Sequence, residues 1–156
     1  MAPSTMRCDT ASRLVKASPE AIYEALLIRE AVEKWLPPED ATMEVQVFEP
    51  RPGGQFQMTL IFGSAAGKST ANTDVVIGRF VDLVPQERVV QVFEFASSDP
   101  AFAGTMTMHW ILEAAASGTM VTVIAENVPT GISQADHEIG MNSSLAHLAA
   151  YVESNN

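Results

Sequence analysis

The chain's 156 residues suit one domain with a core of its own, and a hydrophobic share of 47% is that of an ordinary globular protein. Nineteen acidic residues against nine basic ones give a formal net charge of -10, which disfavours nucleic-acid backbones and anionic membrane surfaces as partners. No stretch holds the roughly eighteen apolar residues of a membrane span, Met1 to Thr10 lack a signal-peptide pattern, and the single cysteine, Cys8, precludes an internal disulfide. A soluble, cytoplasmic protein is the expectation, with residues 1–10 flexible.

In chain order, Ser12 to Ala17 alternates as a first strand, and Ser18-Pro19 supplies an N-cap followed by proline at the first helical position. Ile22, Ala25 and Leu26 mark the buried face of that helix; Val32, Trp35 and Leu36 mark a second, ended by Pro37-Pro38. From Met43 the period becomes two. Met43, Val45 and Val47 alternate with polar neighbours, Glu49 to Gly54 makes a turn, and Phe56, Met58, Leu60 and Phe62 line one face of the next strand. Gly63 to Asn72 reads as a loop, and Asp74 to Val84 as a strand stopped by Pro85. Arg88 to Phe95 follows with Val89, Phe93 and Phe95 on one face, then Thr105 to Leu112 with Met106, Met108, Trp110 and Leu112. Val121, Val123 and Ala125 come after the Ser117-Gly118 turn, and Ser133 to Val152 forms a long helix with an apolar stripe of Met141, Leu145, Leu148 and Val152. Consecutive strands usually pair, so the expected architecture is α+β: one curved antiparallel sheet of about seven strands, with the final helix covering one face.

The motifs are sparse. Gly63 to Ser69 suggests a phosphate-binding loop, but only three residues separate its glycines and strands flank it on both sides, so a hairpin loop is the better reading. His109, His137 and His147 have no spacing that groups metal ligands, and neither a metal nor a cofactor is expected. His109 should face solvent beside Met108 and Trp110, and His147 lies off the apolar stripe. His137 precedes Met141 by four residues, near the buried face, where it would meet a ligand at a cavity mouth; a surface histidine is the plainer alternative. Gln91 shares a face with Val89, Phe93 and Phe95, and a buried amide needs partners. Asn142 adjoins Met141, so Gln91, Asn142 and His137 are the polar candidates for orienting a ligand in an otherwise apolar chamber. Its expected walls are Trp35, Phe56, Met58, Leu60, Phe80, Phe93, Phe95, Met106, Met108, Trp110, Met141 and Leu145. Most of these would serve equally as core, although so many thioethers also suit a pocket that moulds to varied apolar ligands. Glu138 and Asn142-Ser143-Ser144 are weak hints of acid-base chemistry or glycosylation.

The order of elements, with Arg51-Pro52-Gly53-Gly54-Gln55-Phe56, Leu83-Val84-Pro85-Gln86-Glu87-Arg88-Val89-Val90, Gly118-Thr119 and His137 to Leu145, resembles the SRPBCC superfamily. Within its START-like, birch-pollen-allergen-like group, the chain is most similar to single-domain bacterial homologues of the heat-shock-protein-90 ATPase activator C-terminal domain, from about Ser12 to Val152. The resemblance implies a helix-grip fold whose last helix and curved sheet enclose an apolar cavity. It carries over no catalytic residue, since the superfamily includes lipid carriers, polyketide cyclases and chaperone co-activators. Met141 stands where relatives often have tryptophan, which would reshape the helix-facing wall. The sequence has no counterpart of the eukaryotic co-activator's separate N-terminal domain, so chaperone stimulation is the less expected role.

The leading expectation is binding of a small hydrophobic or aromatic molecule, lipid-like or polyketide-like, because Ala146, Ala149 and Ala150 leave room on the helix. A cyclase-like or hydrolytic enzyme using His137, Asn142 or Gln91 to polarise a carbonyl is the alternative. A third is a protein-interaction module using the acidic surface, and a homodimer is left open.

Overall fold

A computed structural model describes residues 7–38, 41–63 and 72–154. Seven strands form one antiparallel sheet: β1 (Cys8–Val15), β2 (Ala41–Phe48), β3 (Gln55–Phe62), β4 (Thr73–Val84), β5 (Arg88–Phe95), β6 (Met106–Ala115) and β7 (Gly118–Glu126). Their spatial order is β1-β7-β6-β5-β4-β3-β2, so β2 to β7 run as a meander and β1 closes the β7 edge. Helices α1 (Pro19–Leu26) and α2 (Arg29–Trp35) come between β1 and β2, and α3 (Gln134–Ser154) ends the described chain. The architecture is the α+β helix grip expected, with about seven strands and a long C-terminal helix.

Local chemistry accounts for the boundaries. The Ser18 hydroxyl accepts from the Ala21 amide at 3.1 Å, and Pro19, which has no N–H to leave unpaired, sits in the first turn of α1. The register of β2 on β3 slips between Val45 and Val47, and that of β4 on β5 between Phe80 and Asp82. Such bulges bend and twist the ladder, which turns the sheet's large-residue face into a concave floor. Gly78 serves the same end. A Cβ there would lie 2.2 Å from the Val92 carbonyl oxygen and 2.8 Å from the Phe56 ring. Its absence lets Phe56 and Phe93, the cross-strand partners on either side, bring their centroids to 6.4 Å.

β1 begins at Cys8, four residues before the expected start at Ser12. Residues 8–10, within the segment expected to be flexible, pair with Glu126, Ala125 and Ile124 of β7. A single 3₁₀ turn at Pro100–Phe102, capped by Asp99, interrupts the β5 to β6 connection that the strand pattern leaves blank. The glycine-bracketed segment after Gly63 lies at 64–71, outside the described residues.

The C-terminal part of α3 makes the core's main seam. Leu145 and Leu148 are fully buried with Ala149 and Val152, and the helix packs chiefly against β1, α2 and α1 rather than over β3 to β5. Trp35 joins these layers: its indole donates to the Ala25 carbonyl at 2.9 Å and its ring meets Trp110 edge-on at 5.3 Å.

Candidate functional site

Where α3 has no helix beside it, the concave sheet is left with a cavity of about 310 Å³. That lies at the lower end of the volumes that small-molecule sites occupy, about 300–1,000 Å³. Phe56, Met58 and Leu60 of β3 and Phe93 and Phe95 of β5 form one side, and Met106, Met108 and Trp110 of β6 form the floor. Met141 and Gly140 of α3 form the roof, and Leu36 and Pro38 close one end. Alternation explains the wall: inward positions are spaced by two, so each strand offers every second residue to the same space.

Of the polar candidates, the structure brings Gln91 and His137 to this cavity. Gln91 accepts the Trp110 indole N–H at 3.2 Å. His137 Nδ1 lies 2.7 Å from Asp9 Oδ2, and the carboxylate, an acceptor only, makes the imidazole the donor. Asn142 does not belong with them. One step along a helix rotates a side chain by about 100°, and Asn142 is exposed, its amide donating back to the Glu138 carbonyl at 2.9 Å. Trp35, Phe80 and Leu145 face inward as their periodicity requires, but they sit in the packed core beside the cavity rather than on its wall. His109 and His147 are tied elsewhere, to Glu126 at 2.7 Å and to the Pro37 carbonyl at 2.9 Å.

Two carboxylates here were not singled out from the sequence. Asp9 is fully buried, and Arg7 grips it with Nε to Oδ1 at 3.0 Å and Nη2 to Oδ2 at 2.7 Å. Burial pushes this carboxyl up, but the Arg7 and His137 hydrogen bonds, reinforced by the charge of Arg7 and by that of His137 when its ring is protonated, outweigh that and hold it below its ordinary range. Asp74, buried on the cavity wall, is the second. Its signal is the spacing to Val76: position 74 falls on the same face of β4, opposite Leu60 of β3. Ser144 also reaches the cavity, with its hydroxyl donating to the Leu36 carbonyl at 2.6 Å.

A curved antiparallel sheet gripping a long helix over an apolar chamber is the architecture of the SRPBCC superfamily, a fold that commonly binds hydrophobic ligands. Within it the chain belongs to the family described as Activator of Hsp90 ATPase homolog 1-like protein, whose model matches residues 16–153. A crystal structure of a protein from Chromobacterium violaceum is similar at 29% identity and a TM-score of 0.84, covering 94% of this chain and 96% of that one. A protein from Rhodobacter sphaeroides shares the fold at 18% identity and a TM-score of 0.79, over 96% and 93% of the two chains. The AHSA1-like protein from Aeromonas hydrophila, solved by NMR, does so at 17% and 0.71, over 96% and 94%. None of the curated proteins matches the chain. No described helix is long and apolar enough to cross a membrane.

Proposed function

We propose that the protein binds a small hydrophobic or aromatic molecule in the cavity between the sheet and the N-terminal half of α3. The observation that supports this is the cavity itself: about 310 Å³ remains open in the middle of a wall of Phe, Met and Leu side chains. Close packing would otherwise fill such a space, because an empty apolar void forfeits dispersion contacts along its whole lining. A nonpolar guest restores them and leaves water, so affinity comes mainly from buried apolar area.

Titration with the neutral dye N-phenyl-1-naphthylamine tests this directly. Saturable fluorescence enhancement with one site per chain is expected, together with displacement by other apolar molecules. A linear, unsaturated response, and native mass spectra showing no adduct after incubation with the dye, would overturn the reading.

A further inference from the structure

The cavity presents two polar atoms that have no hydrogen-bond partner among the described residues, and their neighbours determine what each atom offers. The Trp110 indole can only donate, so the Gln91 atom facing it at 3.2 Å is the carbonyl oxygen, and the amide nitrogen with its two N–H groups is the end left over. The Asp9 carboxylate can only accept, so Nδ1 of His137 carries a hydrogen, and whenever the ring is neutral its lone pair is at Nε2. Neither free nitrogen is sealed in protein, since no buried side-chain nitrogen or oxygen lacks a partner among the described residues.

Strand register places these two groups relative to each other. Gln91 pairs with Met108, Met108 with Ala125, and Ala125 with Asp9, so Gln91 and the anchor of His137 terminate one transverse row across four strands. Three inter-strand spacings separate Gln91 from Asp9, ~14 Å between Cα atoms. The row between them is Ala125, in the core, and Met108, an adaptable apolar side chain on the cavity floor. Asp136, on the cavity wall, disfavours a carboxylate on the guest.

The geometry points to an elongated, neutral, mainly apolar ligand with a hydroxyl at one end donating to His137 Nε2 and a carbonyl at the other accepting from the Gln91 amide. This rests on the cavity-binding reading above and adds the polarity and spacing of the two ends. Asp9 is a positioning residue in it. It holds the imidazole in the tautomer that accepts at Nε2, and Arg7 holds Asp9 in turn.

The test is calorimetric titration of the full chain with four naphthalenes of one shape: 2-ethylnaphthalene, 2-naphthol, 2-acetylnaphthalene and 6-acetyl-2-naphthol. The last should bind tightest, with each polar group contributing up to about tenfold, as a hydrogen bond made in place of an unfilled one does. Gln91→Glu retains an acceptor for the Trp110 indole and removes the amide donor, so it should abolish the preference for the acetyl group alone. His137→Phe keeps a ring and should abolish the preference for the hydroxyl alone. Equal affinity for all four probes in the unaltered protein, or a preference conferred by only one group, would overturn this inference and leave the cavity reading standing. Failure of all four to bind would overturn both, and the unaltered protein decides each case whether or not the variants fold.

Discussion

From Leu145 to Val152, α3 is packed like any core helix, whereas from Gln134 to Met141 the same helix has a cavity beneath it. Leu145 and Leu148 are 0% exposed, while Ile139, one turn before Ser143, is 68% exposed. The change comes at Ser144 and His147, which bond to the carbonyls of Leu36 and Pro37 just past the end of α2. Beyond these contacts α1 and α2 fill the space between helix and sheet; before them nothing does. The place where Pro37-Pro38 stops α2 thus sets where the cavity begins, because a proline pair cannot extend the helix that would have filled it. In this fold a chamber needs no special lining sequence, only a covering helix longer than the elements packed under it.

The largest expected effect belongs to the packed half. Leu148→Ala should cost about 2–5 kcal/mol, since it removes a fully buried side chain from a site flanked by fixed neighbours, and urea unfolding would measure it. Dye affinity should stay within about twofold of the original, a difference worth under ~0.5 kcal/mol. A larger loss of binding would show that the two halves are not independent. Next is Asp9→Asn, which breaks the charge-assisted hydrogen bonds pinning the first turn of α3 and should cost ~1.5–3 kcal/mol near neutral pH. Its pH dependence has a definite sign. The folded carboxyl titrates below its ordinary value of 3.8, so the unfolded chain takes up this proton first. The stabilisation is complete above that value and fades as pH falls through it toward the lower folded one. The variant and the original should therefore converge in acid, and midpoints that stay equally far apart down to the acid limit would contradict the assignment.

Much of this was legible in the sequence because it depends on period. Alternation in Arg88 to Phe95 gives β5 residue for residue, Ser18-Pro19 gives the start of α1, and the spacing of Phe56, Met58 and Leu60 gives the face on which they lie. Period assigns a face and not a depth, however. Phe80 and Leu145 share faces with cavity residues and end up in solid core, because what packs over each depends on where α1 and α2 fall. Asn142 shows the limit within a helix, where a single step separates the buried stripe from solvent. Asp9 was out of reach for another reason. Its burial comes from the pairing of β1 with β7, more than a hundred residues away, and from His137 arriving on α3.

Filling the cavity half should leave stability nearly unchanged and weaken binding. Met141→Trp puts an indole on the roof of the chamber, where the available volume accepts it without the overpacking a dense core would suffer. Dye affinity should fall about tenfold, or ~1.4 kcal/mol, while the unfolding midpoint moves little. Unchanged affinity would place the dye somewhere other than beneath Met141.

The smallest effect discriminates best between a divided helix and a uniform one. The Ser133 hydroxyl accepts the Asp136 amide at 3.1 Å, and its carbonyl accepts the His137 amide at 2.9 Å, so Ser133→Ala removes the side-chain half of the cap. A loss of about 1 kcal/mol is expected. In hydrogen exchange this corresponds to roughly fivefold faster opening wherever the cap governs stability. If the half over the cavity opens separately, the acceleration is confined to amides up to about Met141, and those from Leu145 onward keep their protection because α1, α2 and β1 still hold them. Equal acceleration along the whole helix would mean that α3 opens as one unit, and its two halves would then differ in what they cover but not in how they are held.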